Sequence, residues 1–428
     1  MQSSESSDSP KIPEIKETGQ LSRLGAFAIK ALRLILGGVF VFSGFVKAVD
    51  PWGGLYKMTD YFGAWGVAGS HEAMLTLACL LASFEFILGV MIIIGAYRRA
   101  TRWLTPAFMS FMTILTLYIW IADPVSDCGC FGDAFVISNS LSFWKNVVLL
   151  TMSFVYARYN GRLHGLITPR LQWFGLVVTG AYIIAVEIYG YHIQPMIDFR
   201  PFPLDTNLTA MAENDDVADV LFVYERDGVQ QEFTADSLPD ESWTFVGRKE
   251  ADRNEREESS VAFFDGDEDV TEWIISDSTP QFILLVSDVD RFGMSRSDMT
   301  DRLYEYALDN GYDMFAVIAA TTEQRDKWRE LTGARFPVYT ADDTDIKMMA
   351  RGDAALMALV NGRIIWKTNI YALPPEFPDN DNPLLTDGWV KSGKKALFTF
   401  TLLWLISMVV TVAVSQGVGN IRRHLHSR

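Results

Sequence analysis

Long apolar stretches alternate with short polar breaks over the first two hundred residues, and one more apolar stretch follows near the end of the chain. The runs cover 26–49, 73–97, 102–122, 141–158 and 172–192, with a last one from Ala396 to about Gln416. A hydrocarbon core of roughly 30 Å takes about 20 helical residues to cross. The pattern therefore predicts an α-helical membrane bundle of about six transmembrane helices. The fourth run is short by this ruler and begins near Trp144-Lys145-Asn146, at an interface. Between the first two runs, Trp52, Tyr56, Tyr61, Phe62 and Trp65 suit an interfacial helix.

The pattern changes after residue 192. Val220–Tyr224 and Gln231–Thr234 flank Asp227-Gly228 as a hairpin, and the polar run Arg248–Ser260 reads as a linker. Phe282–Val286 is a buried-strand run, followed by a helix over Asp298–Asn310 and a strand over Met314–Ala319. A helix at Thr322–Leu331, a strand at Val338–Thr340 and a short helix at Asp345–Ala350 come next. Leu356–Val360 and Arg363–Trp366, joined by Asn361-Gly362, form a terminal hairpin. Strand–helix–strand–helix followed by a hairpin resembles a thioredoxin-like α/β domain. The resemblance fails at its chemistry, because Asp288–Ser295 stands where Cys-x-x-Cys belongs and Ala354 stands near the place of the cis-proline. Without a thiolate, this domain exchanges no disulfides by itself.

Charge separates the same regions. The chain has 49% hydrophobic residues yet a formal net charge of -16, which fits apolar and acidic residues segregated into different parts. Basic residues gather beside the apolar runs: Lys30 and Arg33, then Arg98, Arg99 and Arg102, then Arg158, Arg162 and Arg170, and finally Arg422, Arg423 and Arg428. If all the runs span, these groups share one side, the cytoplasm. Lys391, Lys394 and Lys395 are the discordant cluster. The expected organisation is a disordered cytoplasmic tail at 1–25, a five-helix membrane domain at 26–192, a strand-rich extracytoplasmic linker region at 193–260, and the thioredoxin-like domain at 261–393. A further membrane helix at 394–417 and a basic cytoplasmic tail at 418–428 complete it. Both termini are then cytoplasmic, in a bacterial inner membrane with 193–393 in the periplasm. The partner implied by these runs is the lipid bilayer, and basic residues used as flanks speak against nucleic acid.

Three cysteines, Cys79, Cys128 and Cys130, are too few for a disulfide scaffold. Cys128 and Cys130 lie just after the third run, at the expected outer surface, in the sequence DCGCFGD. Cysteines at i and i+2 close a short ring that is readily reduced, which suits a thiol-oxidising relay as much as a structural staple. A metal is the weaker reading, because two thiolates need further ligands. His71 and His192 are the histidines expected on that side, and their spacing does not bring them to the pair.

The run DCGCFGD resembles the Cys-Gly-Cys-Phe-Gly signature of MauE-type proteins, and the first four apolar runs resemble the DoxX/MauE group. Arg33-Leu34-Ile35-Leu36-Gly37, Ser43-Gly44 and Lys47–Pro51 are similar to that group's first helix, and Glu85, Gly89 and Gly95 to its second. Ile197–Pro201 is similar to the stretch after the fifth helix in longer members. The resemblance implies a redox-associated membrane protein that assists disulfide formation or maturation of exported proteins. Its enzyme class, if the pair turns over, is thiol-disulfide oxidoreductase. Cys128 and Cys130 would exchange, and the partner would be a thioredoxin-like protein or an exported client. A fold-level analogy with membrane oxidases adds a quinone as the cofactor to test, and none is implied with certainty. The alternative is a non-enzymatic scaffold whose extracytoplasmic domain binds an envelope partner.

Polar residues within the apolar runs are the remaining candidates. Glu85, about mid-bilayer by the helical rise, is expected to face the bundle interior as a proton relay or as a neutral hydrogen-bonded group. Lys47 is expected to snorkel to the interface rather than reach Glu85. Glu187 is expected to pair with Lys47 or Lys145. Cys79 is either a small buried residue or a third redox thiol, and Gly37, Gly38 and Gly44 are expected to let helices approach closely.

Overall fold

The structure, a computed structural model, describes residues 23–125, 127–162, 164–215, 220–226, 229–233, 243–250, 261–275, 278–292, 296–374, 376–377 and 392–426. Residues 1–22 of the expected tail, the Asp227-Gly228 turn, linker residues 251–260 and Gly293–Ser295 lie outside them, while 23–25, also expected in the tail, begin the first helix.

The N-terminal part is helical: α1 (Arg23–Val49), α2 (Pro51–Ala64), α3 (His71–Ile94), α4 (Arg98–Ala122), α5 (Asn139–Tyr159) and α6 (Gln172–His192). Their ends follow capping chemistry. Asp50 and Ser70 accept Gly53 N–H and Ala73 N–H at the starts of α2 and α3, and Gly95 at φ 67° closes α3. Among the described residues, five helices are long and apolar enough to cross a membrane: α1, α3, α4, α6 and the later Gly393–Gly417 stretch. Of the two other N-terminal helices, α2 is short and α5 has a spanning length of about 30 Å by helical rise. It turns polar residues inward, however, burying Asn139, Ser142, Asn146 and Ser153.

Helices α1 and α3 set the geometry of the bundle. A Cβ on Gly44 would stand 2.3 Å from Phe86 N, and one on Gly89 would stand 2.6 Å from Val41 N. Glycine therefore lets the two backbones touch, as expected for Gly37 and Gly44. Gly38 differs from its expectation, since nothing lies within 4 Å of a Cβ there.

The chain continues as α7 (Leu208–Asp215), β1 (Val220–Arg226), β2 (Val229–Phe233) and β3 (Thr244–Glu250). These strands pair in the order β2-β1-β3, so Arg248–Glu250, expected in a linker, belong to a strand. Then follow β4 (Phe264–Asp265), β5 (Glu268–Asp269), α8 (Thr271–Ile274), β6 (Gln281–Val286), α9 (Ser297–Asp309), β7 (Asp313–Ile318) and α10 (Thr322–Thr332). Last come β8 (Val338–Thr340), α11 (Asp343–Met349), β9 (Ala354–Val360), β10 (Arg363–Asn369) and α12 (Gly393–His426).

The sheet runs β10-β9-β6-β7-β8-β4-β5, with β6, β7 and β8 parallel and β9 antiparallel to β6. Alternation along β6 feeds two cores. Phe282, Leu284 and Val286 pack with Leu303 and Trp328 on one face, while Ile283 and Leu285 pack with Val317 and Met349 on the other. Phe202 and Leu208 are buried in that second core, so the segment after α6 is integral to the α/β fold. Each fully buried large apolar side chain contributes about 1.5–3 kcal/mol.

Candidate functional site

Residues 127–134 form the loop between α4 and α5, and every element around it contributes a constraint. Gly129 and Gly132 take φ of 59° and 53°, a left-handed conformation that glycine adopts without strain. Asp127 caps the turn by accepting Gly129 N–H at 2.7 Å, and it is ion-paired with Lys57 of α2. Tyr61 of the same helix donates to the Cys128 carbonyl at 2.6 Å. Burial, reinforced by Asp127, pushes the Tyr61 phenol up, so it remains a protonated donor. Phe131 packs edge-on to Phe42, and Lys145 Nζ lies 4.1 Å from its ring centre. Cys128 and Cys130 are held close together, with Cα atoms 5.4 Å apart.

Beneath the loop lies a polar chain on the α1–α3 seam. Ser43 Oγ is 2.8 Å from the Cys130 carbonyl and 2.7 Å from Glu85 Oε2. Lys47 Nζ donates to Ser43 Oγ at 2.9 Å and to Glu85 Oε2 at 2.7 Å. Glu85 is 4% exposed and faces the bundle interior. The lysine expected to snorkel is instead its ion-pair partner. The physical reason is register: Gly44 packs at the level of Ala82 and Phe86, so the Lys47 side chain hangs back one turn to meet Glu85. The first turns of α3 rise beyond the end of α1 and pack on α2, where Trp52, Leu55 and Met74 cluster.

Glu187 does not pair with Lys47 or Lys145 as expected. It accepts Ser83 Oγ at 2.9 Å, on the side of α3 turned to α6. At about 100° per residue, Ser83 and Glu85 point to nearly opposite faces of α3. Cys79 is a free, half-buried cysteine one turn before Ser83. His71 packs edge-on against Trp52, with ring centres 5.3 Å apart. Among the described residues, no group of three or more histidine, cysteine or acidic side chains is gathered for a metal.

A cavity of about 300 Å³ opens below the loop, lined by Lys47, Glu85, Lys145, both members of the cysteine pair and apolar side chains of α1–α5. It reaches Asp198 and Arg200 on the other side of the loop.

The α/β domain closes the site from above through a residue that sequence patterns did not single out. The Arg351 guanidinium bonds Asp50 Oδ2 at 2.9 Å and also Asp133, the last residue of the DCGCFGD run. Burial alone would make Arg351 easier to deprotonate, and Asp50 and Asp133 outweigh this to hold its charge. Gln194 fixes the Arg351 backbone from both sides, accepting its N–H at 3.0 Å and donating to its carbonyl at 2.6 Å. Nearby, Asp198 is bonded by Arg200 at 2.7 Å and by Lys367 of β10 at 2.9 Å. Burial disfavours the Asp198 carboxylate, but the two cations prevail and hold it below the ordinary value. Arg351 lies 218 residues from Asp133 in the chain. No local motif could have announced it.

Residues 25–158 match the family described as Methylamine utilisation protein MauE, and residues 219–251, which include β1–β3, match a Domain of unknown function (DUF8463). No curated protein and no solved structure matches the chain. The stretch that supplies α1–α5, the cysteine loop and the Lys47–Glu85 pair, residues 25–158, is a MauE family domain.

Proposed function

We propose that this chain is a redox-associated membrane protein in which Cys128 and Cys130 cycle between dithiol and disulfide to assist oxidation of exported proteins. The observation that carries the reading is the placement of the pair at the rim of a cavity holding the Lys47–Glu85 ion pair, with Ser43 joining the two. A structural staple alone needs no buried charge pair beneath it, and breaking such a pair is costly. In the cycle, a client dithiol attacks the disulfide, the client leaves oxidised, and the pair is left as two thiols.

The α/β domain is read as thioredoxin-like because its central strands run β10-β9-β6-β7, with the parallel pair inside and the antiparallel hairpin at one edge. Its place is extracytoplasmic, with both chain ends in the cytoplasm of a bacterial inner membrane, following the basic flanks of the helices. It has no cysteine, and its role is to position a client or a partner thioredoxin over the loop that Arg351 contacts.

The test is the redox state of Cys128 and Cys130 in native membranes, read by alkylation and mass spectrometry. Mild dithiol is expected to convert the pair to thiols, and its removal with respiration running is expected to restore the disulfide. A pair that stays oxidised throughout would sink the relay and leave a scaffold with a stapled loop.

A further inference from the structure

We propose that the cavity beneath the cysteine loop binds a lipid-soluble quinone, which takes the electron pair from the Cys128–Cys130 dithiol. This rests on the relay reading above and names its electron acceptor.

Three observations support it. The cavity lies among the helices that cross the membrane, and at about 300 Å³ it has room for a single-ring head group. Its walls reach the perimeter of the bundle, since Trp65, Leu77 and Phe111 line it and are also 45%, 39% and 60% exposed on the helix surface. A ligand that arrives through lipid meets those side chains first. The deep end is different in kind, because Lys47 and Ser43 offer hydrogen-bond donors beside a carboxylate, directly below Cys130.

Re-forming the disulfide requires an acceptor for two electrons and two protons. An apolar cavity with one donor-bearing end suits a flat ring with carbonyl oxygens better than a charged or sugar-bearing oxidant. The step balances as a dithiol plus a quinone giving a disulfide plus a quinol. Two S–H bonds break, one S–S bond forms, and two electrons pass to the ring. The two protons end on its oxygens. Lys47 donates to one carbonyl as negative charge develops there, and Glu85 returns a proton to Lys47 from the released thiol proton.

The experiment uses the full chain in nanodiscs of phosphatidylethanolamine and phosphatidylglycerol, reduced by dithiol, desalted, and mixed anaerobically with decylubiquinone. The expected result is one quinol formed per reduced pair, with mass spectrometry showing the pair oxidised. Lys47→Met is expected to slow this on the order of tenfold or more, as loss of a charge-assisted hydrogen bond in the transition state should. Leu115→Trp, which adds bulk to the cavity lining, is expected to block it, while the aqueous oxidant diamide still oxidises the pair in every variant.

If diamide oxidises the pair and decylubiquinone does not, the quinone proposal is overturned and the relay survives. If dithiol cannot reduce the pair, the relay falls, and photolabelling with an azidoquinone decides the site by itself. Labelled peptides from α4 would then support binding, and unlabelled ones would end the proposal.

Discussion

Two buried carboxylates meet at helix α3, Glu85 carried by that helix and Glu187 by α6, and they differ in what surrounds them. Glu85 and Glu187 meet that helix on opposite faces, at 4% and 7% exposure, and each bonds a serine. Glu187 stops there. Glu85 is joined through Ser43 and Lys47 to the cysteine loop, and the loop is joined through Asp133 and Arg351 to the α/β domain. Depth in the membrane is thus a poor marker of a site, because an isolated carboxylate can sit deep as a packing element. Connection to the cysteine loop and, through it, to the α/β domain is what separates the two.

The comparison breaks most severely at Arg351. Removing it in Arg351→Ala leaves Asp50 and Asp133 facing each other, with an expected loss of about 3–5 kcal/mol for an uncompensated buried partner. Hydrogen exchange should rise at the amides of Gly129 and Gly132 and stay unchanged along α6. Equal loosening on both sides would mean that the loop is not held from above.

Glu85→Ala against Glu187→Ala tests the two carboxylates directly. The first strands Lys47, at a cost of about 3 kcal/mol, and the second leaves one serine hydroxyl unpaired, at about 1–3 kcal/mol. Thermal unfolding in detergent gives the difference. The redox rate of the pair should fall in Glu85→Gln and hold in Glu187→Gln.

The glycine seam offers a smaller lever. Gly44→Ala puts a methyl group against Phe86 backbone atoms and is expected to cost about 1–3 kcal/mol. Gly38→Ala meets open space and should stay within about 0.5 kcal/mol. Only the first should slow reoxidation of the cysteines, since it drives Lys47 away from Glu85.

The mildest perturbation is acid. Asp198 is held below its ordinary value near 3.8, so its stabilising contribution is complete above that value and is lost as pH falls through the lower folded one. Below pH 4 the wild type should lose stability more steeply than Asp198→Asn, read by the melting temperature across a pH series.

The helices and the longer strands of the α/β region were legible because both follow from periodicity. α3, β6 and the β9–β10 hairpin around Asn361-Gly362 fall within a few residues of the apolar pattern. The cysteine loop was legible as well, through its glycines. The Lys47–Glu85 contact was not. Helical rise measures depth only if a helix starts at the membrane surface, and α3 starts beside α2, above the end of α1. Small strands such as β4 and β5, two residues each, offer no period to read. Arg351 was invisible for a different reason: it is defined by partners from two distant stretches of chain, and an arginine after a short helix has no signature of its own.

Ser43 has one hydroxyl hydrogen and two acceptors within reach, Glu85 Oε2 and the Cys130 carbonyl. It can satisfy one at a time. Whenever the hydrogen lies on the carboxylate, the Cys130 carbonyl vibrates free of it. Whenever it turns to that carbonyl, the stretching band shifts down. An isotope label on the Cys130 carbonyl would therefore act as an infrared reporter of which partner the serine serves, read on the loop's own backbone.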